Sequence, residues 1–244
     1  MMDANTYRVF DYIINNPKPD LHLNVTSNMC PPTDKLKNQY FDAVKRMCLD
    51  ESIEHFMQFV SVDAHGARAE YIRHGMNYAK LMDNVDEFLT RIPGRNSVSF
   101  IITYNNLSVT SLDRLLMDIR QLRKKHSSTY QRIWFDIPLL RQPLWQQITL
   151  LPESYQHLHE KNIEYMRQHQ EITDSDKKDY GVFKDFEIQK MLRNLAYWRK
   201  HQEKDNAQKK NFYAFFSEHD RRRGTSFERT FPEMQEFWKE CKNI

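Results

Sequence analysis

Glycine is scarce in this 244-residue chain: five in all, Gly66, Gly75, Gly94, Gly181 and Gly224, with no two clustered. A phosphate-cradling P-loop or a dinucleotide fingerprint needs grouped glycines, so that the backbone can come close to phosphate. Kinases, P-loop hydrolases and Rossmann dehydrogenases are therefore excluded. Cysteine is nearly absent too. Cys30, Cys48 and Cys241 are odd in number and far apart, which offers no disulfide or zinc framework. Such usage predicts a reducing compartment, hence a cytoplasmic protein. No apolar run reaches bilayer length, so no membrane partner is expected, and the first residues lack a basic-then-apolar secretory pattern. The formal net charge of +3 does not by itself imply a nucleic-acid surface.

What the chain does have is alternation of two periods. A helix is predicted over residues 3–15, with Tyr7, Phe10, Ile13 and Ile14 on one face and Pro17 and Pro19 ending it. Leu21, Leu23 and Val25 alternate into a short strand finishing at Thr26-Ser27-Asn28. Pro31-Pro32-Thr33 opens a helix with Leu36, Tyr40, Val44, Met47 and Cys48 as its buried stripe. The next strand, Phe59–Asp63, is broken by Gly66, and a polar, arginine-bearing loop is expected to lead on to a helix carrying Tyr78, Leu81, Val85, Phe88 and Leu89. Strands follow at Val98–Thr103 and Ile133–Pro138, separated by an amphipathic helix that closes on Arg123-Lys124-Lys125, where its dipole favours cations.

Helix then strand, repeated, predicts a parallel α/β sheet with right-handed crossovers. Entry on a helix leaves one edge of the sheet unpaired, as if the chain were joined halfway through a βα unit. The fold class expected is α/β: a truncated partial (β/α)6 barrel of about four parallel strands over 1–143, then a helical, aromatic-rich extension over 144–244. In that extension, helices are predicted over Leu144–Gln170 and Phe183–Lys200, with Glu171–Lys178 as a linker. Phe212, Phe215, Phe216, Phe227, Phe231, Phe237 and Trp238 must bury against the outer or upper face of the barrel.

In such sheets ligands sit at the carboxyl ends of the strands, which makes the segment FVSVDAHGARAEYIR (Phe59–Arg73) the focus. Together with VTSNM (Val25–Met29), VSFIITYNNL (Val98–Leu107), RIWFDIPLLRQP (Arg132–Pro143) and the tail FYAFFSEHDRRRGTSFERTFPEMQEFWKEC, it resembles the radical SAM superfamily, in its twitch or SPASM-like subgroup. These segments are similar to the family's third to sixth strands and to its tail, over nearly the whole chain. The resemblance implies S-adenosylmethionine as cofactor, with Ser61 and Asp63 meeting its ribose or carboxylate and Arg73 pairing the methionyl carboxylate. It further implies Thr103 and Asn105 at the end of the fifth strand, Ile137 and Leu139 beside the adenine, and Ser27 and Asn28 facing cofactor or substrate. The family's CxxxCxxC and GGEP motifs are absent, so a [4Fe-4S] cluster cannot be held by these scattered cysteines. The cluster loop would then come from a missing N-terminal segment or a separate polypeptide. The complete enzyme would cleave S-adenosylmethionine reductively to a 5′-deoxyadenosyl radical acting on an unidentified substrate, a peptide being one class. This chain alone would be inactive.

Other readings compete. A non-catalytic binding module on a degenerate half-barrel is the second. A metal-assisted hydrolase at Asp63, His65 and His74 is a third, on weaker grounds, because two histidines nine apart lack ligand spacing. His157 and His159 fall on different helix faces. Cys30 has no basic neighbour to activate it. Arg221-Arg222-Arg223 reads as a solvated helix end, with Asp220 paired locally and Gly224 as the cap, rather than as a nucleic-acid contact.

Overall fold

The computed structural model describes residues 4–92, 94, 96–128, 130–171, 180–202 and 205–244. Four parallel strands form one sheet in the order of the chain: β1 (Lys18–Ser27), β2 (Ile53–Ser61), β3 (Asn96–Ile101) and β4 (Ile133–Asp136). The register is continuous, with Ser27 beside Val60, Val60 beside Phe100 and Phe100 beside Phe135. Helices α1 (Ala4–Asn15), α2 (Asp34–Leu49), α4 (Tyr78–Arg91) and α5 (Leu112–His126) supply the other layer. Sequential parallel order with helical crossovers is an α/β arrangement.

The two faces of the sheet differ. On β2, Phe56, Gln58 and Val60 are buried, whereas His55, Met57, Phe59 and Ser61 are half-buried. The Phe56 ring meets Phe10 of α1 and Phe88 of α4, so the buried set faces the helices. By register the opposite face carries Asn24 and Thr26 of β1, Ser97 and Ser99 of β3, and Trp134 of β4. The edge of β1 is bare, since among the described residues β2 is the one strand that pairs with it. Pro19 lies inside β1, where the expectation ended a helix and started the strand later. A residue without an N–H is tolerated in an edge strand, and a register irregularity between Lys18 and His22 accommodates it.

Further sequence expectations are corrected: β2 starts at Ile53 and ends at Ser61, where the sequence predicts the strand over Phe59–Asp63. The polar loop after Gly66 is instead a seven-residue helix, α3 (Gly66–Ile72); Gly66 takes φ +57° at its start, a conformation cheap only for glycine, and Ala69 and Tyr71 are buried beneath it. The helix expected over Leu144–Gln170 starts only at α6 (Gln156–Gln168). Before it come three single 3-10 turns, Leu144–Gln146, Ile148–Leu150 and Glu153–Tyr155. Extended backbone at Gln147 and Leu151 separates them, and Leu151 precedes Pro152, which disfavours helical geometry there. The predicted linker over Glu171–Lys178 lies, apart from Glu171, outside the described residues.

The rest of the chain is α7 (Asp185–Lys200), α8 (Asn206–Arg223), α9 (Phe227–Thr230) and α10 (Gln235–Lys242). One continuous hydrophobic cluster runs from Phe10 through the sheet to Trp238 and Cys241. Helix α7 closes the β4 side, with Phe186 stacked on Trp134 and Lys190 bonded to Asp136. Arg123, placed by the sequence among the cations that close α5, is fully buried. It pairs with Glu187 at 2.5 Å and donates to the carbonyls of Ile133 and Val182, between the rings of Phe135 and Phe183.

Candidate functional site at the strand ends

Because the strands are parallel and in register, the four segments Ser27–Asn28, Ser61–Asp63, Thr103–Asn105 and Ile137–Leu139 all emerge at the same end of the sheet. The structure thus gathers every site residue proposed from sequence near one edge, Arg73 included. Four of them, Asp63, Arg73, Thr103 and Asn105, are engaged with one another. Asp63 is buried and accepts a forked pair from Arg73, Nε at 2.7 Å and Nη2 at 3.1 Å, and the Thr103 N–H at 2.9 Å. Three donors on one carboxylate tie the end of β2 to the end of β3 and to the residue that ends α3. Arg73 therefore pairs with Asp63 rather than standing free for a ligand's carboxylate.

Asn105 is buried as well. Its Oδ1 accepts from the N–H groups of Leu107 and Ser108, and its Nδ2 donates to the Thr103 carbonyl, so it shapes the turn after β3. Ser27 Oγ accepts from Gln58 Nε2 at 3.0 Å, and Gln58 Oε1 accepts from the buried Tyr40 hydroxyl at 2.6 Å. Burial raises the Tyr40 phenol pKa. The Ile137 carbonyl accepts from Asn194 Nδ2 of α7, and Leu139 bridges to Tyr104. Asn28 is exposed, with Oδ1 on the local Cys30 N–H, and Ser61 is half-buried. Neither of these last two side chains is drawn into a tertiary hydrogen bond among the described residues.

The residues do not fit an iron–sulfur cluster. Cys48 of α2 and Cys241 of α10 are buried, and burial pushes both thiols up to about 12. Cys30 is half-buried, its thiol is also raised by burial, and it donates to the Asn77 carbonyl at 3.5 Å. Among the described residues no three His, Cys, Asp or Glu side chains group to hold a metal ion. The trio Asp63, His65 and His74 accordingly does not form a ligand set: Asp63 belongs to Arg73, His65 reaches Asp118 at 3.4 Å, and His74 is exposed.

Sequence reasoning missed that His65 contact. Asp118 of α5 accepts from the Tyr78 hydroxyl at 2.6 Å, and the His65 ring lies 4.8 Å from that of Tyr78. Burial, then Asp118 itself, raises the Tyr78 phenol. It also missed Tyr104–His159, a buried pair 2.7 Å apart in which His159 Nε2 meets the Met191 carbonyl. Burial lowers His159 to about 4, so the ring stays neutral near pH 7 and donates to that carbonyl. Neither partner lies close in sequence, so neither spacing nor periodicity could have indicated them.

The arginine run behaves as expected of a solvated helix end. Arg221 and Arg222 both bond Glu218, Asp220 accepts from Thr225 and the Phe227 N–H, and Gly224 caps α8 with φ +65°. No helix among the described residues is long and apolar enough to cross a membrane. No protein-family model, no curated protein and no solved structure matches this chain.

Proposed function

We propose that this chain is the C-terminal part of a radical SAM enzyme and contributes the later strands of its barrel. The observation that carries the reading is the sheet: four parallel strands in chain order, polar residues collected at their carboxyl ends, and one bare edge at β1 where further barrel strands would continue. In the complete enzyme the cluster would supply the electron that cleaves S-adenosylmethionine. That cluster would be held by a further segment or by a separate polypeptide, because the three cysteines here do not converge. This chain's share is to bind, orient and exclude water, with Ser61 and Asn28 nearest to hand. By itself it would not start radicals.

The test is anaerobic iron–sulfur reconstitution of this chain and of a polypeptide extended by the upstream coding sequence, reading bound iron and 5′-deoxyadenosine. Iron and product in the longer form alone support the proposal. If neither form has them and this chain unfolds cooperatively alone, it is a non-catalytic binding module. That second reading is favoured by one feature, the closed Asp63–Arg73–Thr103 arrangement, which satisfies the Asp63 carboxylate and the Nε side of the Arg73 guanidinium without a ligand.

A further inference from the structure

Helix α3 is short, and its side chains reach in two directions. Towards the tail, Arg68 pairs with Glu233 at 2.6 Å, donates to the Thr230 carbonyl at 3.2 Å and lies over the Phe231 ring; it also donates to the Thr110 carbonyl, between β3 and α5. One turn on, the Tyr71 ring packs 5.3 Å from Phe231 and 4.3 Å from His219, whose Nε2 lies 3.1 Å from the Tyr71 carbonyl. Towards the sheet, Arg73 ends the helix with its N–H on the Ala69 carbonyl and its guanidinium on Asp63. Asp63 in turn holds the Thr103 N–H.

We propose that α3 is a coupling element through which the aromatic tail sets the position of the carboxylate at the strand ends. From Arg68 to Arg73 is roughly 8 Å of hydrogen-bonded helix, at about 1.5 Å per residue. So short a helix moves as one body: a shift of the tail at Arg68 and Tyr71 reaches Arg73 without being absorbed between them. Arg73 then carries it to Asp63 and to the end of β3, through contacts that form a continuous chain of hydrogen bonds and packed rings. Arg68 and Tyr71 are thus positioning residues for the strand ends, whatever ligand binds there. The inference does not depend on the radical SAM reading.

The amide of Thr103 reports the coupling directly, because its acceptor is the Asp63 carboxylate. Val98, inside the strand that Thr103 follows, donates to the Arg132 carbonyl and serves as the internal reference for global opening. Arg73→Gln releases Asp63 and is expected to accelerate Thr103 exchange relative to Val98 by about tenfold, the factor that losing one net hydrogen bond produces. Glu233→Gln cuts the tail side alone, and Arg68→Gln cuts it together with the bond to the Thr110 carbonyl; under the proposal each also accelerates Thr103 relative to Val98. Arg221→Gln, whose partner Glu218 is on the surface, leaves the ratio unchanged. If Thr103 and Val98 keep their wild-type ratio in both tail-side variants, α3 does not couple the two regions and the inference is wrong. Should Arg68→Gln fail to fold, Glu233→Gln alone decides, since that carboxylate is partly exposed.

Discussion

At the scale of single residues, buried polar groups tie stability to pH and to their partners. His159 binds its proton about two and a half units less readily folded than in its ordinary state near 6.5. The unfolded chain therefore binds more protons over that window. Stability from this group is complete above pH 6.5 and is lost as pH falls towards 4, by up to ~3 kcal/mol. Urea unfolding of wild type and His159→Gln between pH 4 and 7.5 checks this: the variant, with nothing to charge, should show the shallower slope. Arg123 and Glu187 make a second case. Glu187→Gln or Arg123→Met leaves one buried charge without its partner and should cost about 3–5 kcal/mol in denaturant unfolding. The thiols give a third. In the native state Cys30, half-buried, should react first with a thiol reagent, while Cys48 and Cys241 wait for unfolding.

At the scale of elements, helix periodicity was readable where one face is apolar and the other solvated. Phe10 and Ile13 on α1, Tyr40 and Val44 on α2, and Leu115 and Ile119 on α5 are all buried, as their spacing requires. Elements shorter than two turns were not readable: α3 has too few residues to show a period, and its polar side chains are recruited by ion pairs with distant elements. The run before α6 misled for a different reason. Its apolar residues fit a helical stripe, but Pro143 and Pro152 interrupt the hydrogen bonding that a continuous helix needs. The cap of α8 was legible, since Gly224 follows the helix's last cations and takes φ +65°. Gly224→Ala has room for its Cβ and only the backbone penalty to bear, so thermal unfolding should show a loss of about 1 kcal/mol.

At the scale of the whole molecule, the sheet segment 1–143 and the helical segment 144–244 share one core. Tyr104 meets His159, Arg123 meets Glu187, and the Ile137 carbonyl meets Asn194, so each half satisfies buried polar groups of the other. Residues 1–143 expressed alone should therefore lack cooperative unfolding, measured by calorimetry, because truncation uncovers β4 and orphans Arg123. The boundary near residue 143 marks a change of secondary structure and not a line along which the chain could be cut. The aromatic tail differs from the expectation that all seven of its rings bury against the sheet segment. Phe212, Phe216, Phe227 and Phe231 are buried largely against one another and Tyr71, while Phe215 stays 44% exposed against Trp145.

The sequence by itself determined the class of fold: alternating two-residue and 3.6-residue periods, with almost no clustered glycine, lead to parallel strands joined by helices. It also determined which end of the sheet is polar, since Ser61, Asp63, Thr103 and Asn105 each follow an apolar strand. Only the tertiary structure decided what those groups do. Asp63 and Arg73 are ten residues apart and Thr103 is forty from Asp63. Arg123 finds Glu187 across sixty-four. Such partners are chosen by how the layers stack, and a buried charge takes whatever opposite charge packing brings within reach. Periodicity is a local property of the chain and carries no record of that choice.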